Sequence, residues 1–183
     1  LVTGASGGLG SAVAKALAAQ GAKLALSGSN IDKLEAFRAE LGGDHVAVPC
    51  NLSDPAAVDA LIPQAVEALG GKLDILVNNA GIYGPRDFYE LSDEDWTRIF
   101  DVNVMSGVRL ARAYTAAMAQ SGWGRVVFIS SESALNTPED MIHYGFSKTA
   151  QLAVSRGLAK RLSGTGVTVN AVLPGPTLSD GLR

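Results

Sequence analysis

The stretch LVTGASGGLG, residues 1–10, decides the fold. Its apolar opening reads as the end of a strand, its glycines as a tight turn, and SAVAKALAA (11–19), made of strong helix formers, as a helix. Glycines at 4, 8 and 10 let the backbone turn sharply and approach a ligand closely. A helix that begins there presents unpaired N–H groups and the positive end of its dipole, which suits a pyrophosphate. A plain strand–helix connection would use the same residues. The spacing TGxxxGxG also differs from the dinucleotide fingerprint GxGxxG.

Working outward, strand and helix patterns alternate. Strands are expected at 22–27 (AKLALS), 45–49 (HVAVP), 72–77 (KLDILV) and 125–129 (RVVFI). Helices are expected at IDKLEAFRAEL with Asn30 as cap, from Ser53 or Asp54 to about Leu69, from Trp96 to about Gln120 with Ser92-Asp93-Glu94-Asp95 as its start (a capping serine and acids in the first turn), and from Met141 to about Leu162. Alternation of this kind argues for an α/β fold, a doubly wound parallel sheet with helices on both faces. Ligands in such folds bind at the carboxyl ends of the strands. Gly4–Gly10, Asn78–Gly81, Ser130–Ser131 and Pro174–Gly175 all fall there.

The 183 residues form one expected domain, 1–183, with no linker or repeat. Apolar residues make up 47% and charged residues 18%, a globular composition. A net charge of -3 leaves no basic footprint for nucleic acid or an anionic membrane. No apolar run reaches the ~20 residues that span a bilayer. Cys50 is the only cysteine, so no internal disulfide forms, and a cytoplasmic location fits. His45 has no neighbours at metal spacing and reads as structural; no metal site is expected. The chain opens two residues before the glycine turn and stops just after PGPT, so both ends read as truncated, with a final helix and strand missing.

A dinucleotide fold places an acidic residue about 20 positions past the glycine turn, on the ribose 2′-hydroxyl. Here the second strand ends in Ser27-Gly28-Ser29-Asn30, without a carboxylate. Ser29 and Asn30 offer hydrogen bonds to a 2′-phosphate, with Lys33 or Arg38 nearby, so NADP(H) is favoured and NAD(H) remains possible. Asn51-Leu52 follows the third strand, where a polar tip and an apolar contact suit an adenine ring. The small residues of Asn78-Asn79-Ala80-Gly81 let a ligand lie against the backbone, and the asparagines can also tie neighbouring strands together. Asn103 sits in the middle of a helix, a poor position by propensity, so it is either solvent-facing or placed for a reason.

The chemistry concentrates in SESALNTPEDMIHYGFSK, residues 131–148. Tyr144 and Lys148 are four apart and share one helix face. A tyrosine hydroxyl has a pKa of about 10. A lysine ammonium within reach should lower it, so the pair suits general acid–base work on an alcohol or carbonyl. Ser131 can bond the same substrate oxygen, and Lys148 a nicotinamide ribose. Glu132 could touch substrate or simply be solvated. His143 points off the Tyr144 face by about 100° and has no catalytic role assigned.

TGASGGLG, NNAG, Ser131, YGFSK and VNAVLPG, in this order and spacing, make the chain resemble the short-chain dehydrogenase/reductase family, single-domain branch. The resemblance implies a Rossmann sheet of strand order 3-2-1-4-5-6, and hydride transfer between a nicotinamide and a carbonyl or secondary alcohol. It implies Tyr144 as general acid/base, Lys148 as its partner, Ser131 as ligand of the substrate oxygen, and Asn103 as holder of a proton-relay water. The implied cofactor set is Gly4, Ser6, Gly8, Leu9, Gly10, Ser29, Asn30, Asn51, Leu52, Asn79, Ala80, Gly81, Tyr144 and Lys148. Pro174, Gly175 and Thr177 would flank the carboxamide. Relatives often carry aspartate where Asn51 stands, and arginine where Ser29 stands. A homodimer or homotetramer packed through helices near 96–120 and 142–162 is also implied. The alternatives are a reductase of acyl chains carried by a protein, of the 3-oxoacyl-carrier-protein type, and a non-catalytic dinucleotide-binding regulator.

Overall fold

The structure, a computed structural model, describes residues 1–179. The elements run α1 (Gly8–Ala19), β1 (Ala25–Leu26), α2 (Ile31–Leu41), β2 (Val46–Ala47), α3 (Pro55–Ala68), β3 (Ile75–Asn78), α4 (Asp93–Phe100), a π-helical turn (Asp101–Met105), α5 (Ser106–Ser121), β4 (Gly124–Ile129), α6 (Ile142–Arg161) and β5 (Val167–Val172). Short 3₁₀ turns sit at Phe88–Glu90 and Glu132–Ala134.

All strand pairs are parallel. β1 pairs with β2, β3 with β4 from Ile75↔Arg125 to Asn78↔Phe128, and β4 with β5 from Gly124↔Val167 to Ile129↔Val172. Val2 joins the two sets by bridging both Leu26 and Val77. The segment 1–3 therefore runs between β1 and β3 and delivers the glycine turn to the carboxyl edge. Apolar side chains leave both sheet faces. Val58, Leu61, Leu110 and Met118 pack with Leu76, Val126 and Phe128 on one side. Ala14, Leu34 and Phe37 pack with Val2, Leu26 and Val77 on the other. A strand buried on both faces needs apolar residues at nearly every position, which is how AKLAL and RVVFI read.

Helix caps follow the sequence. Asn30 accepts from Lys33 N, Asp54 from Ala56 N, and Ser92 forms a capping box with Asp95. Strands β1 and β2 are shorter than the sequence pattern suggests, each keeping two residues of regular pairing. The expected helix 96–120 is a larger departure. Its start at Asp93, after the Ser92 cap, is the one the sequence offered, but it is interrupted by the widened turn that contains Asn103. His45 is structural, as expected: its Nδ1 accepts from Leu24 N at 3.0 Å.

Candidate active site

The first wall of the site is the glycine turn. Gly4 has φ +60, and a Cβ on it would lie 2.9 Å from Asn79 Nδ2 and 3.0 Å from Ala80 Cα. A Cβ on Gly10 would run into the Gly4 carbonyl oxygen. Both glycines are thus required by close backbone approach. The turn is fastened to the end of β3: Thr3 Oγ1 accepts from Asn79 N (3.0 Å) and Ala80 N (3.1 Å), while Asn79 Nδ2 donates to Thr3 O and Gly4 O (both 3.2 Å). Asn79 is therefore a tie between strands, the second of the two uses its sequence position allowed. α1 starts without a side-chain cap, and its first residues, Gly8, Leu9 and Gly10, line the cleft.

The second wall comes from β4 and α6. Tyr144 and Lys148 line the same cleft, of about 550 Å³, as Gly4, Ser6, Gly8, Leu9, Gly10, Ser29, Asn30, Lys33, Asn79, Ala80 and Gly81. Its only charged lining residues among the described ones are Lys33 and Lys148. Lys148 is 4% exposed, donates from Nζ to Ile129 O at 3.0 Å, and lies 5.5 Å from the centre of the Tyr144 ring. Burial pulls its pKa down to about 8. Ser130 Oγ holds the Lys148 carbonyl at 2.9 Å. Ser131, buried, caps the turn 132–134 by accepting from Ser133 N at 3.1 Å.

The Tyr144 hydroxyl behaves opposite to the sequence expectation. Its pKa is raised, first by burial; a hydrogen bond with Ser131 opposes this and Tyr83 adds to it. The Lys148 ammonium, 5.5 Å from the ring centre and bonded to Ile129 O, does not outweigh the burial. Tyr83, which sequence reasoning passed over, stands edge-on to Tyr144 with ring centres 6.1 Å apart. The signal available for it was its place just past NNAG, at the strand end where ligands lie.

Asn103 is buried, not solvent-facing. Its Oδ1 accepts from Ile82 N (2.8 Å), and its Nδ2 donates to Ile82 O (2.9 Å) and Ser147 Oγ (3.0 Å). Gln151 Nε2 takes its backbone carbonyl at 2.6 Å.

Several expected cofactor residues lie outside the lining of this cleft or have their side chains engaged within the protein. Leu52 is buried in the core under α3, and Asn51 Oδ1 accepts from Ser53 N and Oγ; neither lines the cleft. Arg38 is paired with Glu35 at 2.6 Å, leaving Lys33 as the cation near Ser29. The Asn30 side chain is engaged as the α2 cap. Pro174 and Gly175 pack beside the Ser131 turn: Glu132 N donates to Pro174 O at 3.1 Å, and a Cβ on Gly175 would sit 3.2 Å from the Glu132 carboxylate. Thr177 Oγ1 donates to Gly175 O. His143 turns away from the cleft, its ring 6.2 Å from that of Trp96.

Comparison with known proteins agrees with this arrangement. The family model described as short chain dehydrogenase matches residues 1–183. The uncharacterized oxidoreductase YvaG of Bacillus subtilis is 42% identical over 186 residues, covering 100% of this chain and 69% of YvaG. The 3-oxoacyl-[acyl-carrier-protein] reductase FabG of Escherichia coli is 35% identical over 175 residues, 96% of this chain and 71% of FabG. A solved short chain dehydrogenase/reductase family protein superposes with a TM-score of 0.93 at 32% identity, over 98% of this chain and 74% of that one. Sequence, fold and cleft together make the chain a member of the short-chain dehydrogenase/reductase family, an oxidoreductase of the kind that acts on CH–OH and C=O groups.

Proposed function

We propose that the protein interconverts a carbonyl and a secondary alcohol with NADP(H), using Tyr144 as general acid/base. One observation carries this reading: the glycine turn and the Tyr144–Lys148 pair line one cleft that has two lysines and no carboxylate among its described residues. The cleft suits a dinucleotide, since the backbone approach at Gly4 and Gly10 tolerates no Cβ and the bare start of α1 offers N–H groups to a pyrophosphate. Gly4, Ser6, Gly8, Leu9 and Gly10 would hold the phosphates, Ser29 and Lys33 a 2′-phosphate, and Ala80, Gly81 and Lys148 the nicotinamide half. When bound, the nicotinamide supplies or accepts the hydride.

The residues of the chain supply the proton and the orientation. Ser131 bonds the substrate oxygen beside the Tyr144 hydroxyl. Because the Tyr144 pKa is raised, the phenol holds its proton near neutrality and is ready to give it to a carbonyl oxygen as that oxygen gains charge. The phenolate left behind stands next to the Lys148 ammonium, which then stabilises it. Oxidation of an alcohol runs the same transfer backwards and calls for higher pH.

Replacing Tyr144 by Phe should reduce turnover by roughly 10³-fold or more while NADPH binding stays within about threefold. Unchanged turnover would refute the assignment. Dissociation constants for NADPH and NADH settle the cofactor, and a clear preference for NADH would overturn the reading of Ser29 and Lys33.

A second reading, reduction of 3-oxoacyl chains on a carrier protein, is favoured by the similarity to FabG. It predicts faster turnover of a carrier-bound 3-oxoacyl thioester than of the same acyl group on a small thiol. Self-association is part of the proposal. Phe100 and Phe146 stack across α4 and α6 with ring centres 6.3 Å apart, and both are partly exposed on a face that a second copy could cover.

A further inference from the structure

Nothing in DVNVM, residues 101–105, demands a π turn by its own propensity. Such turns are rare and cost stability, so one that persists is held from outside. Two consecutive carbonyls of this turn are taken by side chains. Ser106 Oγ donates to Val102 O at 2.6 Å, and Gln151 Nε2 reaches across from α6 to Asn103 O, also at 2.6 Å. Gln151 is 2% exposed. Its Oε1 is buried without a hydrogen-bond partner among the described residues, so a half-satisfied amide at the contact of α6 with the widened turn calls for a reason.

Ser147 and Gln151 lie one helical turn apart on α6 and flank Lys148 in sequence. Ser147 Oγ accepts from Asn103 Nδ2 and donates to Tyr144 O at 2.7 Å. The two residues thus clamp the widened turn to the helix that carries Tyr144 and Lys148. On the far side of Asn103 is Gly81, where a Cβ would sit 3.4 Å from Asn103 Oδ1 and 3.5 Å from Lys148 Nζ. Gly81 thus lies against both the Asn103 amide and the Lys148 ammonium, and a side chain there would meet both.

We propose that Gln151 is a positioning residue for the reaction: it holds the turn 101–105 in its widened form, and the widened turn keeps the Asn103 amide bonded to Ile82 and Ser147, against the helix that carries Tyr144 and Lys148. This rests on the reading of Tyr144 and Lys148 as working groups. Without the Gln151 bond the turn relaxes toward an ordinary α-helix, which rotates Asn103 away by about 100° per residue removed. The bonds from Asn103 to Ile82 and Ser147 are then lost, and the packing around Lys148 loosens. The Lys148 ammonium faces the Tyr144 ring on its own helix and Ile129 O from β4, and among the described residues no charged side chain adds to the burial that moves its pKa.

The test is Gln151→Met, which keeps length and apolar bulk but removes the donor. In the protein without cofactor, the Lys148 ammonium, followed by ¹⁵N NMR, is expected to titrate above its wild-type midpoint, because looser packing relieves the burial that lowers it. On the carbonyl that the wild type turns over fastest, kcat is expected to fall about tenfold with KM little changed, as a misplaced acid/base requires. A merely structural role would lower Tm and leave the titration where it was. Ser106→Ala loosens the same turn without touching α6 and should move the Lys148 midpoint in the same direction by less, which covers the case of a Gln151→Met protein that does not fold. An unmoved Lys148 titration in a folded variant, with Tyr144→Phe inactive as expected, overturns the role of Gln151 alone. Full turnover in Tyr144→Phe overturns the proposed function on which it rests.

Discussion

The two walls of the cleft are built from different material. The glycine wall, residues 3–10 with Asn79 and Ala80, works by what it lacks: side chains are missing where backbone must meet backbone. The α6 wall works by what it buries. Asn103, Ser147, Lys148 and Gln151 are all nearly inaccessible, and three of their hydrogen bonds join residues 19, 44 and 48 positions apart in sequence. The first wall tolerates no added atom, and the second tolerates no lost partner. The first should therefore fail through stability and cofactor binding together, the second through turnover with binding preserved.

The strongest way to break this contrast is to make one change in each wall. Tyr144→Phe should cost roughly 10³-fold or more in turnover and almost nothing in stability or cofactor affinity. Gly10→Ala should do the reverse. Its methyl collides with the Gly4 carbonyl, so a loss of about 3 kcal/mol or more in denaturant unfolding is expected, with weakened NADPH binding. A Gly10→Ala protein with normal stability would remove the argument that the turn is closed by backbone contact.

Asn79→Ala sharpens the boundary, since Asn79 belongs to the glycine wall yet carries a polar side chain. Its amide bonds Thr3 O and Gly4 O, and its removal should cost about 1–3 kcal/mol and loosen cofactor binding. Retained stability with reduced kcat would instead move Asn79 to the reactive wall.

The smallest expected effect is electrostatic. The Lys148 pKa falls from 10.5 to about 8 on folding. Between those values the unfolded chain binds the extra proton, so stability rises with pH once pH passes about 8. Cys50, raised from 9.0 to about 11, and Tyr114 and Tyr144, both raised, release protons first from the unfolded chain and reverse the trend from about pH 9 upward. Lys148→Met should flatten the rise in melting temperature between pH 8 and 9. An identical slope in the variant would mean that Lys148 is not the group responsible.

Most of the fold was legible because its determinants are local. Strand and helix alternate with periods that apolar spacing reveals, and Asn30, Asp54 and Ser92 announce helix starts through hydrogen bonds two or three residues long. The lengths of β1 and β2 were not legible, since regular pairing depends on how far a neighbouring strand follows. Leu52 shows the same limit at the site. Its position after a strand suited adenine, but the core beneath α3 took its side chain. Arg38 was near enough to a 2′-phosphate in sequence, and Glu35 on the same helix face claimed it.

By itself, the sequence determined the parallel α/β scaffold, the glycine turn and the Tyr144–Lys148 face, because each follows from the steric demands of a few adjacent residues or from one helical repeat. Only the tertiary structure decided the direction of the Tyr144 pKa, the widened turn at Asn103 and the part played by Gln151. Those depend on burial and on partners brought from distant segments, and neither desolvation nor a long-range hydrogen bond leaves a mark on the spacing of residues along the chain.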